Sequence, residues 1–116
     1  MSFQFSIIKK NTHQLVTLEG SLMSRYDGEE FILQMEETIP TQPNIVFDLN
    51  SLRFISSEGL GICIQILTKC RKQGGDVWII NLSTELQQLF IITKLNSIFT
   101  ILNNEEALTN LWAASK

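Results

Sequence analysis

The 116-residue chain carries a formal net charge of −3, with 44% hydrophobic and 18% charged residues, enough chain to bury one core and too little for two. Its lysines and arginines are scattered apart from Lys9-Lys10 and Arg71-Lys72, so no basic stripe gathers phosphates and nucleic acid is excluded as an expected partner. No segment reaches the roughly 20 apolar residues of a membrane span, and the start Met-Ser-Phe-Gln-Phe lacks a cationic head followed by an apolar stretch, so a cytoplasmic location without direct membrane insertion is expected.

Phe3, Phe5 and Ile7 alternate with Gln4 and Ser6, and after a polar break at 9–12 a second extended run covers His13 to Glu19; together they predict a hairpin. Gly20 is expected to end the second strand. Ser24 is placed to cap a helix running to about Thr38, with Phe31, Ile32, Met35 and Ile39 on one buried side, and Pro40 and Pro43 close it.

Ile45-Val46-Phe47-Asp48-Leu49 is a nearly continuous apolar run, the pattern of a strand covered on both faces and flanked by parallel neighbours. From Ser57 to Gln73 the apolar positions Leu60, Cys63, Ile64, Leu67 and Cys70 recur at helical spacing, and Gly74-Gly75 follows a last turn carrying Arg71 and Lys72. Val77 to Ile80 is a second buried strand, so strand, helix and strand form a βαβ unit and the fold class is α/β. Ser83 caps a helix containing Leu86, Leu89 and Phe90, Ile98 to Ile101 makes a short last strand, and Asn103 with Glu106 starts a final helix carrying Leu108, Leu111 and Trp112.

Two cysteines, Cys63 and Cys70, fall two helical turns apart, roughly 10 Å and beyond disulfide reach; buried reduced thiols are expected. His13 is the single histidine and has no ligand-spaced cluster around it, so neither a metal nor a cofactor is expected. No lysine-bearing phosphate loop, Cys-His pair or Ser-His-Asp set is present either, which argues against an enzyme.

Phe54 to Gly61 joins the first buried strand to its helix, at the carboxyl end of the sheet where open α/β proteins usually carry function. One reading makes Ser57 a helix cap. The other follows from resemblance. With Ile45 to Leu49 before it and Gly74-Gly75 after it, Ser56-Ser57-Glu58-Gly59-Leu60-Gly61 resembles the STAS domain of anti-sigma-factor antagonists, whose loop reads approximately Asp-Ser-Ser/Thr-Gly-Leu-Gly. Gly20-Ser21-Leu22 and the stretch Ser83, Leu89-Phe90, Leu95 resemble further parts of that family.

The resemblance implies a single domain over 1–116, with a mixed sheet of four to five strands and about four helices packed mainly on one side. It also implies that Ser57 is phosphorylated by a partner that is both an anti-sigma factor and a serine kinase, with a serine phosphatase as a second partner. The oligomeric state expected is a monomer or weak dimer. The partner-binding residues would be Met23, Arg25, Ser56, Glu58, Gly59, Ile62 and Ile66; Ile62 and Ile66 either reach the surface or widen the buried face. Ser56 and Met23 stand where the family often has aspartate, and Glu58 where it has a hydroxyl. These departures keep open a form that is not phosphorylated, as a subunit of a stress-signalling scaffold or of a phospholipid-transport ATPase.

Overall fold

Alternating side chains build the first two strands of the computed structural model, which describes residues 2–114; Met1, Ser115 and Lys116, part of the expected domain span, lie outside the described residues. Strand β1 (Phe3–Lys9) runs antiparallel to β2 (Gln14–Leu22), from Phe3 opposite Gly20 to Lys9 opposite Gln14. Phe3, Phe5 and Ile7 pack toward the core, where the rings of Phe3 and Phe5 meet that of Phe31 at an angle, whereas Gln4 and Ser6 face out. The second strand continues past Gly20 to Leu22. Gly20 does not end it: at φ +85° its missing side chain leaves room for the Ser2 carbonyl, which a Cβ would meet at 1.8 Å, and the strand passes through.

The remaining elements alternate helix and strand: α1 (Glu29–Thr38), β3 (Asn44–Ile55), α2 (Ser57–Lys72), β4 (Asp76–Ile80), α3 (Thr84–Ile92), β5 (Thr100–Leu102) and α4 (Glu105–Ala114). The five-stranded sheet has the order β1-β2-β3-β4-β5, with every pair after the first parallel. Parallel strands added always toward the same edge by right-handed crossovers put their helices on one face. So α1, α2 and α3 share the main core with Val16, Leu18, Ile45, Phe47, Leu49, Val77 and Ile79. The other face is left to α4, whose Leu108 packs with Val46 and Ile80 in a separate cluster. The unbroken run Ile45-Val46-Phe47 is thereby explained, since neighbouring residues of β3 go to two different cores.

Strand β3 is longer than its apolar run, reaching Ile55, and its pairing with β2 shifts register twice, between Thr17 and Glu19 and between Gly20 and Ser21. From the Thr17–Asp48 pair to the Leu22–Ile55 pair β3 advances seven residues where β2 advances five. These are bulges that bend β3 and set the direction in which the chain leaves it. At the other end Gln14, fully buried, donates to the carbonyls of Thr38 and Gln42 and accepts from the Thr38 hydroxyl, which anchors the end of α1 on the sheet with no polar atom left unpaired.

Three helix starts differ from the spacing-based expectation. Helix α1 begins at Glu29 after Gly28; Ser24 instead accepts from the Asp27 amide, holding a turn that precedes the helix. Helix α4 is capped by Asn104, whose Oδ1 accepts from the Ala107 amide, one residue beyond Asn103. The start of α2 is treated below. Ser83 caps α3 as expected, accepting from Leu86. Cys63 and Cys70 are free and buried, and burial pushes both thiols up to about 12, with the Asp76 charge adding to the rise at Cys70.

The β1–β2 turn is tied to α4 through Glu105: Lys10 Nζ donates to its Oε2 at 2.8 Å and His13 Nε2 lies 3.0 Å from the same atom. The hydrogen bond from Lys10, reinforced by His13, lowers the Glu105 carboxyl from its ordinary value against the opposing effect of burial. A carboxyl depressed in the folded state protonates first in the unfolded one. Its stabilisation is therefore complete above the unfolded pKa of about 4.3 and is lost as pH falls through the lower folded value. Melting temperatures followed by circular dichroism from pH 7 to pH 3 should fall in acid, and Glu105→Gln should show a smaller fall together with a lower Tm at pH 7; identical pH profiles would refute the role of this contact.

Candidate functional site

Where β3 ends, Ser56 turns the chain into α2. Its backbone is extended (φ −91°, ψ 177°), and its Oγ accepts from the Gly59 amide at 3.1 Å, which makes Ser56 the helix cap and corrects the reading that gave the cap to Ser57. The same hydroxyl donates to the Met23 carbonyl at 2.6 Å, and the Ser56 amide donates to the Leu22 carbonyl at 3.1 Å. One residue thus closes the helix end and joins it to the end of β2. Gly59 is buried in this joint: a Cβ there would lie 2.3 Å from the Leu22 carbonyl oxygen, so only glycine lets helix and strand meet.

Ser57 is the first helical residue and is exposed, and among the described residues its hydroxyl makes no hydrogen bond. His13, the single histidine, is occupied elsewhere with Thr12 and Glu105. Among the described residues no group of His, Cys, Asp and Glu could hold a metal ion, and no helix is long and apolar enough to cross a membrane.

The loop between β2 and α1 lies alongside. Glu58, in the first turn of α2 where a negative charge is favoured, accepts from the Arg25 amide at 3.1 Å; the Arg25 guanidinium donates to Gln65 Oε1 at 2.6 Å. Within the loop the Asp27 carboxylate accepts from the Met23 amide and the Ser24 hydroxyl accepts from the Asp27 amide. A loop bonded in this way is ordered before any partner arrives, yet its apolar side chains face solvent: Met23 is 48% and Tyr26 85% exposed. Tyr26 and Arg25 continue into a shallow groove of about 340 Å³ completed by Glu29, Ile32 and Leu33 of α1.

The structure therefore brings together Met23, Arg25, Ser56, Ser57 and Glu58, with Gly59 buried beneath them, and separates Ile62 and Ile66 from the group. Ile62 and Ile66 are 0% and 1% exposed, members of the main core, and the surface alternative for them is corrected. The cause is α1 and its leading loop, which cover this flank: Gly28 comes so close that a Cβ on it would meet Ile62 Cδ1 at 2.8 Å. The buried stripe of α2 accordingly runs through Ile62, Cys63, Ile66, Leu67 and Cys70, with Ile64 at its margin. Sequence reading missed Tyr26 and Asp27, because capping α1 at Ser24 turned 25–28 into helix, and Gln65, because its partner Arg25 stands 40 residues away.

The STAS domain family model matches residues 8–108. An anti-sigma F factor antagonist of Paenibacillus polymyxa is 29% identical over 104 residues, covering 87% of this chain and 88% of that protein. Among solved structures, an anti-sigma factor antagonist from Mycobacterium paratuberculosis superposes with a TM-score of 0.79 at 19% identity, over 94% of this chain and 93% of that one. The Bacillus cell fate determinant SpoIIAA in its phosphorylated form gives 0.70 at 19% identity, over 95% and 99%. These two share the fold of this chain.

Removing the two hydroxyls should separate their roles in urea unfolding. Ser56→Ala loses a helix cap and leaves the Met23 carbonyl unbonded, and should lower stability by about 1 to 2 kcal/mol. Ser57→Ala should stay within about 0.5 kcal/mol of wild type. Equal losses at the two positions would overturn the assignment.

Proposed function

The chain belongs to the STAS domain family, and we propose that it acts as an anti-sigma factor antagonist, binding an anti-sigma factor that is also a serine kinase and being switched off by phosphorylation at Ser57. The observation that carries this reading is the free, exposed Ser57 hydroxyl at the first position of α2, on the same surface as Met23, Arg25 and Glu58. The name of the Paenibacillus polymyxa relative and the phosphorylated form of SpoIIAA support it.

Magnitudes explain why the switch needs no change of fold. A phosphate adds about 1.5 to 2 negative charges at a helix N-terminus, where the macrodipole favours it by roughly 0.3 to 1 kcal/mol. Inside a docked interface the same charge loses its water, and an uncompensated buried charge costs about 3 to 5 kcal/mol, while each 1.4 kcal/mol is about a tenfold loss of affinity. The modified protein stays folded and lets go.

In this reading Met23, Arg25 and Glu58 touch the partner, with Tyr26 as an aromatic anchor on a loop ordered in advance. Ser56 and Gly59 serve from below, holding that loop against α2. A serine phosphatase would restore Ser57. The protein works by binding and has no chemistry of its own.

Calorimetric titration of the purified anti-sigma factor tests the reading. Wild type and Ser57→Ala should bind alike, Ser57→Asp should bind at least about 100-fold more weakly, and Tyr26→Ala should lose roughly tenfold or more. With Mg-ATP the partner should label wild type and leave Ser57→Ala unlabelled. Full affinity of Ser57→Asp would sink the switch; failure of wild type and every variant to bind the anti-sigma factor would favour a STAS subunit of a signalling scaffold or a phospholipid-transport ATPase.

A further inference from the structure

The face of the sheet opposite α2 is covered by α4 through a cluster separate from the main core. To that cluster α4 contributes one fully buried side chain, Leu108, and a partly buried one, Trp112, while Leu111 is 42% exposed. Among the described residues, the polar side-chain contacts from α4 to the rest of the domain all converge on one atom, Glu105 Oε2, which receives Lys10 and faces His13. His13 is in turn held by Thr12 at 2.9 Å on Nδ1, and its ring lies 5.1 Å from that of Trp112.

An element held by few buried contacts and one polar point opens at lower free energy than the body it covers. A helix of ten residues does not persist alone, so once detached it melts rather than swinging as a rigid arm. We propose that α4 is a detachable strap, latched by Glu105 to the β1–β2 turn, which opens as a unit while the sheet, α1 to α3 and the Ser57 loop stay folded. Opening uncovers an apolar strip formed by Val46, Trp78 and Ile80 on the far side of the sheet from α2. The domain thereby holds a concealed surface that it can expose without disturbing the loop at the other end of β3.

The chain supplies its own reporter: its two tryptophans, Trp78 and Trp112, stand edge to face at 5.1 Å across this boundary. Native-state hydrogen exchange and tryptophan emission, followed on the full chain in increasing urea, test the strap. Amides of 108–112 should exchange through an opening at least about 100-fold more populated than that of β3 and α2, and emission should shift before the circular dichroism of the body is lost. Glu105→Gln should raise the α4 opening about three- to tenfold and the opening of β3 and α2 by the same factor, since the latch is broken in both open states, whereas Ile66→Val in the main core should raise the opening of β3 and α2 and leave that of α4 unchanged. Exchange of α4 only through global unfolding, or an Ile66→Val effect equal in α4 and α2, would overturn the strap, and absence of any Glu105→Gln effect on the α4 opening would overturn the latch.

Discussion

The working end of this molecule depends on a single hydroxyl that is fully committed. Ser56 Oγ satisfies a free amide of α2 and a free carbonyl of the β2–α1 loop at once. Both groups would otherwise be unpaired beside a buried glycine contact. Because Ser56 carries the structural duty, its neighbour carries none, and Ser57 is left accessible on a rigid mount. Adjacent serines of identical chemistry are in this way divided into a fastener and a free group by the half-turn that separates an extended residue from the first helical one.

The same fastening explains why the loop ahead of α1 is ordered although it is short, polar in part and solvent-facing. The anchors come from three places: Glu58 from the first turn of α2, Asp27 and Ser24 from the loop itself, and Ser56 from the junction of β3 with α2. Conformational entropy has been removed from Met23 and Tyr26 in advance, so a partner meets a preformed surface. Glu58, at a position where the motif resemblance implied a hydroxyl, takes part in this ordering through the Arg25 amide.

Much of the architecture was legible because period and composition report burial directly. The alternation in β1, the double-sided run of β3 and the cap at Ser83 follow from side-chain pattern alone. What escaped depended on neighbours distant in the chain. Ile62 and Ile66 look peripheral on an isolated α2, and only Gly28, 34 residues before Ile62, lets α1 close over them. Ser24 has the chemistry of a helix cap and uses it for a turn, accepting from the Asp27 amide while the Asp27 carboxylate takes that of Met23, a local pairing that spacing does not distinguish from a cap. The choice between Ser56 and Ser57 was invisible for a related reason: it is decided by where Leu22 and Met23 present their carbonyls, which local propensity does not encode.

The two register shifts of β3 add a constraint that concerns lengths rather than residue types. Seven residues of β3 are set against five of β2 on the approach to Ile55, and that surplus aims Ser56 at the Met23 carbonyl. Dropping one of the seven would turn the following side chains to the opposite side of the strand and point the capping hydroxyl away from its acceptor. Natural variation in this fold should accordingly crowd insertions and deletions into the turn around Asn11, while the count of residues between Asp48 and Ser56 stays the same even where their identities drift.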